Sequence, residues 1–104
     1  MAGKKFDGEK PDLSLIPKDA VWEIAKAFTY GGKKYGRHNF REGLHISRLL
    51  AAAMRHITQY NEGEDLDEES GNNHLAHAGA AICMAIFMHY NKPEMDDRWK
   101  NTKE

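Results

Sequence analysis

The sequence predicts an all-α protein, a small bundle of about three main helices preceded by an irregular arm. Two helices show as amphipathic periodicity. Val21, Ile24, Ala25 and Phe28 recur at i, i+3, i+4 and i+7, and Ile46, Leu49, Leu50, Ala53, Ile57 and Tyr60 trace a second apolar face. The third is the stretch 75–88, apolar nearly all round, as expected of a helix at the centre of a bundle. No strand-like alternation and no internal repeat competes with this reading.

Taken in chain order, residues 1–17 form the arm, with Gly3, Gly8, Pro11 and Pro17 set among charges and Leu13, Leu15 and Ile16 as the anchors that dock its end. Asp19, just after Pro17, is the predicted N-cap of the first helix. Gly31-Gly32 and Gly36 are expected to end that helix, leaving 31–45 as a connecting loop. The second helix is predicted over 47–61, stopped by Gly63. An acidic turn then leads to the third helix, capped by Asp67 or Ser70 and closed by Pro93. The domain thus spans 18–92. The charged tail 93–104 has only Met95 and Trp99 to bury and is expected to fray. Three helices in a chain of 104 residues leave one face needing cover, so homo-oligomerisation is predicted.

Composition removes several classes of function. With 15 Lys+Arg against 16 Asp+Glu, a formal charge of -1 gives no global attraction to nucleic acid or membrane. Cys83 is the only cysteine, which excludes an internal disulfide, a Cys-ligated structural zinc and a CxxC redox pair and points to the reducing cytoplasm. Lys4-Lys5 is followed by charged and turn-forming residues rather than an apolar signal core. The longest apolar run, 78–88, falls far short of the roughly 20 residues that span a bilayer. No phosphate-binding glycine loop, dinucleotide fingerprint or nucleophile elbow is present.

Two clusters could carry chemistry. Residues 62–71 gather six carboxylates between two helices, the oxygen-rich composition that hard cations such as Mg²⁺ and Mn²⁺ require. Read from Asp65, the calcium-loop pattern would need Gly and Glu where Ser70 and Ala76 stand, so it fails. A solvated acidic turn is the competing account. Glu64 and Asp67 form an E-x-x-D step, and His74 and His77 lie one turn apart on the third helix; with Ser70 they share a face. Imidazole is a poor Mg²⁺ ligand, so the histidines read as supporting or phosphate-contacting groups, with ligation of a softer metal as the alternative.

The second cluster, 33–41, sets Lys33, Lys34, Arg37 and Arg41 around Tyr35, Asn39 and Phe40. Cations of this kind clamp phosphates while aromatics stack a base. Single-stranded nucleic acid would use the same residues, but a polymer needs a long basic stripe and here there is one short patch in a neutral chain. Arg55-His56 adds a cation and a titratable ring just before the acidic turn.

In this order the residues resemble a known family. Lys5-Phe6-Asp7 with Lys10-Pro11, Gly31-x-x-Lys34-Tyr35, Asn39-Phe40-Arg41, Arg55-His56, and Gly63-Glu64 leading to Asp67-x-Glu69-Ser70-Gly71-x-x-His74-x-x-His77 look like the bacteriophage dATP/dGTP diphosphohydrolase N-terminal domain family. The resemblance covers residues 4–90. It implies host-cytoplasmic, metal-assisted removal of pyrophosphate from a purine deoxynucleoside triphosphate, in the manner of helical MazG-like enzymes that hold Mg²⁺ or Mn²⁺ with carboxylates.

On that reading Glu64, Asp67 and Glu69 hold the metal, and Glu64, His56, His74 and His77 serve catalysis. Lys10, Lys34, Arg41 and Arg55 meet the phosphates, Phe6, Tyr35 and Asn39 contact base or sugar, and Lys5 completes the substrate-binding set. The doubled E-E-x-x-E helix motif of MazG-like enzymes is absent, since the second helix carries no carboxylate before Glu62. Two other readings therefore stand beside the enzyme: a non-catalytic nucleotide-binding or regulatory module, and a helical interaction protein.

Overall fold

A computed structural model describes residues 3–6 and 8–100. Asp7 of the Lys5-Phe6-Asp7 motif and the last four residues of the tail lie outside the described residues. Three α-helices make the bundle: α1 (Lys18–Tyr35), α2 (Ile46–Asn61) and α3 (His74–Asn91). Short 3-10 turns fall at Leu13–Leu15, Asn39–Glu42 and Pro93–Met95. The all-α bundle is as predicted, and α3 is its centre, packed against both α1 and α2.

The core is built of small residues. Ala27 of α1 meets Ala76 and Ala80 of α3, Ala53 of α2 meets Ala78 and Ala81, and Ile46, Leu49 and Met88 close the far end. Small side chains let helix axes approach, and Gly79 takes this furthest. A Cβ there would lie 2.7 Å from Cδ1 of Ile24, so α1 rests on the bare backbone of α3.

Gly31-Gly32 does not end α1, contrary to expectation. Each glycine costs roughly 1 kcal/mol relative to alanine inside a helix, but Ile24, Ala27 and Phe28 anchor the preceding turns on α3. The backbone breaks instead at Gly36, whose φ of 107° is open to glycine and strained for other residues. Lys33 and Lys34 therefore occupy the last helical turn, where cations complement the macrodipole. The connection shortens to 36–45 and contains the Asn39–Glu42 turn.

Two capping expectations, Asp19 for α1 and Asp67 or Ser70 for α3, are also corrected. Pro17 occupies the α1 N-cap position and Asp19 sits within the first turn. Asn73 caps α3, its side chain accepting from Leu75 N–H at 2.7 Å, because the acidic turn closes on itself before the helix begins. Within that turn Asp67 N–H donates to Asn72 O, Gly71 N–H donates to Asp67 O, and His74 N–H donates to Asp65 O.

The first turn of α2 takes its cap from a distant residue. Asp97 accepts from Ser47 N–H at 2.9 Å and from Ser47 Oγ at 2.6 Å. The tail is therefore tethered as far as Asp97, with Met95 packed against the Ile46, Leu49 and Met88 cluster, while Trp99 stays 84% exposed. The arm does not dock within the single chain: Leu13 and Leu15 are 77% and 78% exposed.

The close crossing at Gly79 predicts that Gly79→Val lowers stability by about 1–3 kcal/mol. Adding Ile24→Ala should recover part of that loss, measured by thermal or denaturant unfolding. Additive losses would show that the two residues do not share the contact.

Candidate functional site

A cleft of about 380 Å³ opens between the C-terminal half of α1, the 36–44 connection, α2 and α3. That volume suits a small organic ligand. Continuation of α1 through Gly31-Gly32 sets Tyr30 and Lys34 one helical turn apart, and both side chains donate to the Glu69 carboxylate. Glu69 is held below its ordinary pKa by Lys34 and then Tyr30, and the same bond raises Lys34 and Tyr30. Sequence reasoning missed Tyr30 because the signal, its i,i+4 relation to Lys34, exists only if the helix runs through the glycines.

The deepest group is His74, the first residue of α3, with no exposed surface. Its Nε2 lies 2.7 Å from a Glu64 oxygen, and its Nδ1 lies 2.9 Å from Nδ1 of His56 on α2. A carboxylate only accepts, so His74 Nε2–H donates to Glu64. In neutral His74 the Nδ1 lone pair then accepts from His56, leaving His56 Nε2 free to accept. His77, one turn along α3, stacks on His56 with ring centroids 4.9 Å apart and hydrogen-bonds to Ser70 Oγ at 2.6 Å.

Burial lowers the pKa of His56, helped by the nearby His77, and burial likewise lowers His77 despite the attraction of Asp67. Both rings are thereby neutral at pH 7. Burial alone would raise Asp67, but bonds from Ser70, whose N–H donates at 2.9 Å, outweigh it and hold the carboxyl below its ordinary range.

His56, Asp67 and His74 each offer one ligand atom within 4.8 Å of the others. Two imidazole nitrogens 2.9 Å apart match neighbouring positions around a common ion, since donors about 2.1 Å from a metal at right angles stand about 3 Å apart. Glu64 would keep the His74 Nδ1 lone pair turned toward such an ion, the carboxylate–histidine arrangement of metal centres. The residues present therefore fit a divalent metal. Two nitrogens with one oxygen are a borderline donor set, better suited to Mn²⁺ than to Mg²⁺. This group shares Asp67 with the set Glu64, Asp67 and Glu69. Glu64 abuts His74 instead, and Glu69 abuts Tyr30 and Lys34.

Of the other sequence-selected residues, Tyr35, Asn39, Arg55, His56, Asp67, Glu69 and His77 line the cleft. Lys34 reaches it through Glu69 and passes over the Tyr35 ring. Arg41 lies in a neighbouring groove against Phe40 and Phe87, its Nε donating to His38. Lys5, Phe6 and Lys10 are exposed on the arm and do not line the cleft.

Because the folded pKa values of His56 and His77 lie below the ordinary imidazole value of 6.5, the folded state binds fewer protons than the unfolded state just below that pH. In chelator, their contribution to stability should be full above pH 6.5 and fall away as pH drops through the lowered values. Asp67 begins to lose its contribution only below 3.8. The melting temperature should therefore decline as pH falls from 6.5 toward 3.8, before Asp67 adds its own loss, and less so in His56→Gln than in the wild type; parallel profiles would contradict the assignment.

The family model for the dATP/dGTP diphosphohydrolase N-terminal region matches residues 1–98. A protein of Salmonella phage PMBT28 named dATP/dGTP diphosphohydrolase is 41% identical over 98 residues, covering 94% of this chain and 33% of the relative. The chain thus spans about a third of that relative's length. No solved structure matches. Among the described residues no helix is long and apolar enough to cross a membrane. The chain belongs to the dATP/dGTP diphosphohydrolase N-terminal family.

Proposed function

We propose that this chain provides a metal-dependent nucleotide pyrophosphohydrolase site for purine deoxynucleoside triphosphates, yielding a monophosphate and pyrophosphate. The observation that carries the reading is the convergence of His56 and Asp67, which line the cleft with Arg55, on the buried ring of His74 behind them, in a chain 41% identical to a protein named for this activity.

The geometry supports a division of labour. His56, Asp67 and His74 would hold Mn²⁺ or Mg²⁺, with the donor set favouring Mn²⁺. The ion supplies Lewis acidity toward phosphate oxygens. Arg55 offsets phosphate charge, and neutral His77, oriented by Ser70, can take a proton from water as its oxygen adds to the α-phosphorus. The bond to the bridging oxygen breaks, and pyrophosphate leaves with the electron pair. Tyr35 and Asn39 line the cleft and would contact base and sugar. Lys5, Phe6 and Lys10 reach the ligand only if the arm folds across the cleft, and Arg41 acts only on a ligand that extends into the groove beyond Phe40.

One observation favours a second reading: the chain corresponds to a third of its relative, so it could instead be a nucleotide-binding module whose chemistry is completed elsewhere. Homo-oligomerisation remains part of the proposal, because Leu13, Leu15, Val21 and Trp22 are all more than half exposed. Sedimentation velocity checks it, with a single monomeric species as the contrary result.

The test of function is incubation with deoxy- and ribonucleoside triphosphates in Mn²⁺ or Mg²⁺, with products separated by ion exchange. Monophosphate and pyrophosphate from dATP or dGTP, abolished by chelator and restored better by Mn²⁺, is the expected result. Asp67→Asn, which keeps the side-chain shape and the ability to accept from Ser70, should lower turnover by roughly 100-fold with unchanged helical circular dichroism. Tight binding without turnover would favour the module.

A further inference from the structure

Glycine inside a helix is conformationally costly and persists where a left-handed backbone, a close approach or open space requires it. At Gly31 the first two reasons fail. Positive φ among the described residues occurs at Gly36, Gly43, Gly63 and Gly71. A Cβ on Gly31 would meet no packed neighbour within 4 Å, whereas one on Gly79 would collide with Ile24. Gly32 is similar, its Cβ making only an ordinary contact with the backbone of Arg37 at 3.6 Å. What both glycines border is the cleft.

The cleft is also chemically divided. Arg55, His56, Asp67 and His77 come from α2, α3 and the acidic turn, while α1 presents the two glycines with Ala27, Phe28 and Tyr35, flanked by Tyr30, whose hydroxyl donates to Glu69, and by Arg37 of the connection. Charged ligand parts belong with the first set. A flat, weakly polar part belongs against the second, where bare backbone and aromatic faces give dispersion contact without demanding a hydrogen-bond pattern.

We propose that the Gly31-Gly32 strip of α1 is the seat of the nucleobase: the purine ring lies along the side-chain-free helix surface, edged by Tyr35, with its phosphates directed toward Arg55 and the His56–Asp67–His74 group. This rests on the nucleotide reading above. The missing side chains leave room for a bicyclic base, so helix stability is given up at this position in favour of ligand space. Gly31 is then a specificity residue that a side chain would improve structurally and damage functionally.

The test uses Gly31→Ala and Gly31→Val with the full chain, measuring melting temperature and calorimetric binding of dGTP and of inorganic tripolyphosphate, each with Ca²⁺ to suppress turnover. Gly31→Ala should melt a few degrees higher than the wild type, because alanine removes unfolded-state freedom at a helical position. It should bind dGTP about tenfold more weakly, Gly31→Val more weakly still, and tripolyphosphate within about twofold of wild type. Equal loss for both ligands would place phosphates on the strip and overturn the proposal, as would unchanged dGTP binding. A lower melting temperature in Gly31→Ala would show that the fold itself requires the glycine and would also overturn it. Wild-type binding of tripolyphosphate without dGTP removes the base seat alone; binding of neither removes the nucleotide reading together with it.

Discussion

A histidine with no exposed surface at the first position of a helix sets a demand that much of this structure meets. Both ring nitrogens of His74 need partners, because an unpaired polar group out of water costs on the order of 1–3 kcal/mol. Glu64 satisfies one and His56 the other, and among the described residues no buried side-chain polar atom lacks a partner. Meeting that demand draws the acidic turn against the start of α3 and fixes the rotation of α2. Asp67 is carried to the same place. The arrangement that satisfies a buried ring is also one that can release its central proton and accept a cation.

The helices and their core faces were legible in the sequence because they are written locally. Periodicity reports burial directly, and the alanine-rich α3 could be placed at the centre without knowing its neighbours. What was not legible depended on distant partners. Asp97 caps α2 from fifty residues away, and no local pattern shows that Ser47 will receive it. Asn73 displaces Asp67 and Ser70 as the α3 cap because the acidic turn closes through its own backbone bonds, a competition that residue types do not rank. Gly31-Gly32 reads as a stop by propensity, yet packing of Ile24, Ala27 and Phe28 carries the helix past it.

The candidate site was legible in composition more than in pairing. His56, Asp67, Glu69, His77, Arg55, Tyr35 and Asn39 all reach the cleft; the acidic turn and α3 supply Asp67, Glu69 and His77, and the basic cluster with Arg55-His56 supplies the rest. Which groups would touch a metal is a matter of angstroms. The arrangement differs from a carboxylate-only centre because Glu64 accepts from the ring that faces His56, and Glu69 is engaged by Tyr30 and Lys34. Carboxylate count alone suggested the hard-cation set; the imidazole pair adds nitrogen donors to it.

The central claim is that a cation seats between His56, Asp67 and His74 at the edge of the cleft. The most direct measurement is paramagnetic broadening in the isotope-labelled chain on titration with substoichiometric Mn²⁺. The account predicts early loss of the His56 and His74 ring signals and of the Asp67 carboxyl, with the Glu62 and Glu68 side chains affected later. Broadening spread evenly over the carboxylates of residues 62–69, with both imidazoles unchanged, would contradict it and leave the acidic turn as a solvated surface.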